Sequence, residues 1–99
     1  MAGQSQSENL ASKLFAQGNF HEAYIAWKQI LALSPTNQRA QEGLQKLKIV
    51  GENFFEEALM LKGSSPDECR KKINMILAIS DPGSQLYIKA HDLLGKESV

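Results

Sequence analysis

The sequence predicts an all-α fold of about five helices, because apolar residues recur at three- and four-residue spacing and helix-start signals stand at regular intervals. The apolar sets are Leu10 and Leu14; Ala23, Tyr24, Trp27, Ile30 and Leu31; Cys69, Ile73, Ile76 and Leu77; and Leu86, Ala90, Leu93 and Leu94. No segment alternates apolar and polar residues over a strand's length, and no Asn-Gly or Asp-Gly hairpin turn occurs, so no sheet is expected.

Each helix has its own signals. Ser5 followed by Glu8, Asn19 followed by Glu22, and Ser65 followed by Glu68 fit the capping box, in which cap oxygen and third-residue carboxylate satisfy exposed amides reciprocally. Ser65-Pro66 and Asp81-Pro82 place proline at the first helical position, where its missing N–H costs nothing; a fourth start is thus expected at Asp81. Gly18, Gly63 and Gly95 follow apolar-periodic segments and are expected to be left-handed C-terminal caps. In the middle, Ala40, Leu44, Leu47, Gly51, Phe54, Ala58 and Leu61 keep one seam in phase from Gln38 to Lys62, as a single long helix requires. Gly51-Glu52-Asn53 is the competing tight turn, since a mid-helix glycine costs roughly 1 kcal/mol relative to alanine. The unbroken seam tips the reading toward continuity.

The stretch from Ser7 to Pro35 resembles a tetratricopeptide repeat, the helix-turn-helix unit of about 34 residues that stacks into solenoids. Leu10, Ala11 and Leu14 stand where the family places large, small and large packing residues. Gly18-Asn19-Phe20-His21-Glu22-Ala23 is similar to its inter-helix turn, and Trp27, Ile30, Leu31 and the closing Pro35 continue the pattern. Small Ala11 and Ala23 suit a close crossing of antiparallel helices, with Phe20 and Trp27 filling the volume beside it. Two departures are Ala11 where glycine is common and Ile30 where alanine is usual. The resemblance implies a short α-solenoid in one domain over 1–99: the best-matching repeat at 7–36, a degenerate repeat or long helix at 37–63, and a C-terminal helical hairpin or cap at 65–95. One period on, Asn53-Phe54 repeats Asn19-Phe20 and Leu44 repeats Leu10, but Gln45, Ala58 and Cys69 break the register.

Composition narrows the function. The 99 residues, 42% apolar and 22% charged, are ordinary for one globular domain. Eleven basic residues balance eleven acidic ones, and Arg70-Lys71-Lys72 stands beside Asp67 and Glu68 as a solvated face, so no nucleic-acid partner is expected. No stretch approaches the roughly 20 apolar residues of a membrane span. The lone Cys69 and the polar opening of the sequence, without signal or myristoylation pattern, lead us to expect a cytoplasmic protein.

No catalytic, metal or cofactor site is expected. His21 and His91 have no partner at ligand spacing, and Lys62-Gly63-Ser64-Ser65 lacks the order of a phosphate loop. Acidic residues are scattered over helix faces without an acid-base pairing, and Phe54-Phe55 and Trp27 read as core rather than stacking platforms. An enzyme would have only Cys69 to work with, and its phase with Ile73 and Ile76 indicates packing.

The resemblance instead implies a protein-binding module, an adaptor or scaffold with a concave groove for a partner peptide or helix. Its groove positions fall on Ser5, Glu8, Asn9, Ser12 and Phe15, and on Arg39, Glu42, Lys46, Ile49 and Val50; the set expected to carry binding is Asn9, Ser12, Phe15, Arg39, Glu42 and Lys46. Glu8 and Ser12 replace the Lys and Asn of the subclass that clamps a C-terminal carboxylate, which disfavours that ligand. Phe15, about 100° around the helix from Leu14, is the expected exposed anchor, unless it covers the third helix. The alternative is an assembly subunit, self-associating as a homo-oligomer or joining a larger complex through an off-seam apolar patch of Ile49, Val50, Phe55 and Leu59.

Overall fold

The computed structural model describes the backbone of residues 2–97 and the side chains of residues 6–95. Among the described residues the fold is all-α, with five helices and no strand: α1 (Ala2–Ala16), α2 (Phe20–Leu33), α3 (Gln38–Leu61), α4 (Pro66–Ala78) and α5 (Gln85–Glu97). Two compact units divide the chain, Met1–Leu47 and Lys48–Val99, and the division falls inside α3 rather than at a loop.

The first unit is built on small residues. Ala11 of α1 and Ala23 of α2 are fully buried, as a close helix crossing demands. Gly18, with φ +83°, makes the turn between the two helices. Its left-handed backbone lets the Gly18 and Asn19 N–H groups donate back to the Phe15 and Leu14 carbonyls at 3.0 and 2.9 Å, satisfying the end of α1. Trp27 and Ile30 of α2 are buried, and the Trp27 indole lies flat against Gly43 of α3. A Cβ on Gly43 would come within 2.2 to 2.5 Å of three indole atoms, so only glycine admits the ring there. Leu10, expected in the core, is 55% exposed, because the buried stripe of α1 runs through Ala11 with Leu14 and Phe15 at its flanks.

In the second unit Ala58 of α3, Cys69, Ile73 and Ile76 of α4, and Leu86, Ala90 and Leu93 of α5 form one core, with Phe54, Phe55, Leu61, Leu77 and Leu94 packed around it. The continuous helix that the in-phase seam predicts is the one found, and the competing turn at Gly51 does not form: α3 passes through it unbroken. Gly51 is buried because Leu86 of α5 comes close, its Cδ2 2.7 Å from where a Cβ would stand. Lys72 pairs with Glu57 at 2.9 Å and lies over the Phe54 ring at 4.8 Å, tying α4 to α3.

Several helix ends differ from the sequence reading. Ser5 is no cap, since α1 already begins at Ala2. Asn19 and Ser65 stand at the N-cap positions of α2 and α4 but make no side-chain cap hydrogen bond. Their ψ angles, 68° and 74°, fall short of the extended backbone that aims a cap oxygen at the first-turn amides. The working caps are elsewhere. Asn37 Oδ1 accepts the Ala40 N–H at 2.9 Å at the start of α3, and Ser84 Oγ accepts the Tyr87 N–H at 3.2 Å at the start of α5. The helix expected from Asp81 therefore begins at Gln85, because Asp81 to Ser84 close a turn in which the Ser84 N–H donates to the Asp81 carbonyl at 2.9 Å. Gly63 does not adopt positive φ, and Gly95 lies within α5, so neither is a left-handed cap.

Candidate interaction surface

The Glu8 carboxylate organises one face of the first unit. It accepts a hydrogen bond from Asn37 Nδ2 at 2.8 Å and approaches Arg39 Nη1 at 3.7 Å, and its side chain is only 15% exposed. Asn37 at the same time caps α3 through Oδ1, so one amide joins α1 to the first turn of α3. At 3.6 residues per turn, Ser12 lies about 40° around α1 from Glu8 and Asn9 about 100°. On α3, Arg39, Glu42 and Lys46 fall within about 60° of one another by the same geometry. All five side chains are exposed. The structure thus puts Glu8 and Arg39 in contact, with Asn9, Ser12, Glu42 and Lys46 on the flanks of the two helices that carry this pair.

Phe15 is not the free anchor its position suggested. Its ring centroid lies 5.3 Å from that of Phe20 and 5.8 Å from that of Trp27, both tilted, and the residue is half-buried. With Leu10 facing outward, Phe15 takes over the packing role that Leu10 was expected to share with Leu14, and its ring packs against Phe20 and Trp27 of α2. The neighbouring groove positions Ile49 and Val50 belong to the second unit.

The off-seam apolar set is not one patch either. Val50 and Phe55 are half-buried, and Phe55 packs on the core of the second unit. They lie about 140° apart around α3, on opposite flanks of its buried seam. Ile49 and Leu59 are 59% and 47% exposed, and Met60, which the sequence reading omitted, is 81% exposed.

The groups with chemical potential are occupied by structure. Cys69 is fully buried in the second core. His91 is exposed and stacks on Tyr87 at 6.3 Å, and His21 is exposed at the start of α2. Among the described residues no group of three or more His, Cys, Asp and Glu is placed to hold a metal ion. Arg70 pairs with Asp67 and Lys71 with Glu68 along α4, so the basic cluster is locally compensated. No helix among the described residues is long and apolar enough to cross a membrane. No protein-family model, no curated protein and no solved structure matches the chain.

Proposed function

We propose that the chain is a non-enzymatic protein–protein interaction module, an adaptor or scaffold of tetratricopeptide type that holds a partner peptide or helix on the α1/α3 face of its first unit. The observation that carries this reading is the Glu8–Asn37–Arg39 contact, which links the Glu8 side chain of α1 to the start of α3 while Asn9, Ser12, Arg39, Glu42 and Lys46 remain exposed. Polar groups held by a rigid helical framework lose little freedom when a partner binds, which favours recognition. The Gly18 turn and the buried Ala11 and Ala23 agree with a repeat-type hairpin. A cytoplasmic setting suits a single buried cysteine that has no second cysteine in the sequence to form a disulfide with, as Cys69 is.

The test is affinity capture from the native host with the intact chain, compared with Arg39→Ala and Lys46→Ala. Both changes are at exposed positions and should leave stability within about 0.5 kcal/mol of the original. Loss of a specific partner in both variants supports the reading. A partner retained by both removes the α1/α3 face from consideration. Phe15→Ala is unsuitable here, because it also disturbs the ring cluster with Phe20 and Trp27. The second reading, an assembly subunit, is favoured by the exposure of Ile49, Leu59 and Met60 on α3.

A further inference from the structure

From the outer face of α3 in the second unit, we infer a docking surface for a basic amphipathic helix of another protein. Taking Glu56 as reference and 100° per residue, Ile49, Glu52, Asn53, Leu59 and Met60 all fall within about 60° of it, opposite the buried Gly51 and Ala58. The stripe is about 16 Å long, about three helical turns. Its apolar members are unusually open for their type: Met60 81%, Ile49 59% and Leu59 47% exposed. Within that arc the charge is carried by Glu52 and Glu56, and the exposed Lys48, one turn before Glu52, stands at its edge without an ion pair to either carboxylate.

Those two carboxylates are the distinguishing feature. They stand four residues apart on one helix, a spacing at which like charges repel and weaken the helix. Among the described residues neither has an ion-pair partner. The adjacent Glu57 shows what compensation looks like in this fold, since Lys72 reaches it from α4 at 2.9 Å. Uncompensated acid between exposed aliphatic side chains is complemented by a helix with an apolar stripe bordered by Lys or Arg, whose cations relieve the repulsion as its apolar residues cover Ile49, Leu59 and Met60. An acidic or neutral apolar partner would leave the carboxylates unpaired or bury them, at an electrostatic cost. This surface shares none of Asn9, Ser12, Arg39, Glu42 and Lys46 with the α1/α3 face, and it rests on the same exposed Ile49, Leu59 and Met60 as the second reading.

The test uses the full chain and a synthetic probe of about 18 residues, roughly five helical turns, made of Leu, Ala and Lys with Leu at helical spacing and Lys on both borders. A scrambled peptide of the same composition and a peptide with Glu in place of Lys are the comparisons, read by fluorescence anisotropy. The patterned peptide should bind at least about tenfold more tightly than either comparison, and its affinity should fall as salt is raised. Glu52→Lys with Glu56→Lys should weaken it at least about tenfold, the milder Glu52→Gln with Glu56→Gln should weaken it less, and Ile49→Ser with Met60→Ser should weaken it with an unchanged melting temperature. Arg39→Ala with Lys46→Ala should have no effect. Equal binding of the scrambled peptide, absence of binding, or retention by the Glu52/Glu56 variants overturns the proposal. Light scattering that shows a dimer dissolved by Ile49→Ser also overturns it, since the face would then join copies of the chain.

Discussion

Trp27 and Gly43 are the residues on which the first unit turns, and each explains the other. An exposed helical glycine replaced by alanine gains up to about 1 kcal/mol from lower backbone entropy in the unfolded chain. At Gly43 the new methyl would meet the indole at 2.2 Å, and a ring cannot retreat as the tip of a flexible side chain does. Gly43→Ala should therefore cost about 1 to 3 kcal/mol, the range of overpacked cores. Trp27→Ala alone should cost about 3 to 5 kcal/mol. In the Trp27→Ala background the sign at Gly43 should invert, alanine there becoming neutral or stabilising by up to about 1 kcal/mol, because the clash has gone and the helix preference remains. Urea unfolding of the four proteins in this cycle measures the coupling; additive effects would mean that the indole does not rest on Gly43. At Gly51 the neighbour is Leu86 Cδ2, the end of a flexible side chain, and the same substitution is expected to be milder.

At the scale of the element, helix ends separate positions that merely look like caps from those that hydrogen-bond. Asn37→Ala and Ser84→Ala remove cap acceptors and should each cost about 1 kcal/mol, with more at Asn37 because Glu8 also loses a donor. Asn19→Ala and Ser65→Ala remove no cap bond and should stay within about 0.5 kcal/mol. Chemical denaturation ranks the four, and a larger loss at Ser65 than at Ser84 would contradict the geometry. The continuity of α3 has its own observable. Amides from Lys48 to Phe54 donate within an unbroken helix, so their hydrogen exchange should be slowed like that of the flanking turns. Fast exchange confined to Glu52–Phe54 would restore the turn that Gly51-Glu52-Asn53 suggests on paper.

For the molecule as a whole, far-UV circular dichroism should report helix near the 81% of the structure and no strand signature. A substantial strand component would undo the fold class itself. That class was readable from residues alone, since the 3.6-residue period runs through every helix even where the caps and stops read from the sequence do not form, and period reflects which face of a helix is buried. Buried Ala11, Ala23, Trp27, Cys69, Ile73, Ile76 and Ala90 were equally legible, because phase within a helix reports which side faces inward. Phase does not report how far inward. Leu10 and Phe15 flank the same stripe, and only the ring cluster with Phe20 and Trp27 decides that Phe15 packs while Leu10 faces out. The interaction surface divides in the same way. Arg39, Glu42 and Lys46 were expected to be exposed, yet the Glu8–Asn37 bond that brings their helix to α1 joins residues 29 positions apart and has no local sequence signal. Gly43 and Gly51 are the clearest cases. In sequence each is a blemish in a helix, and its purpose lies in what another helix lays against it: an indole from α2 in one unit, Leu86 from α5 in the other. Sequence determined period and polarity because those act between near neighbours; tertiary structure alone decided close approach and cross-helix bonding, because these depend on which distant side chains meet.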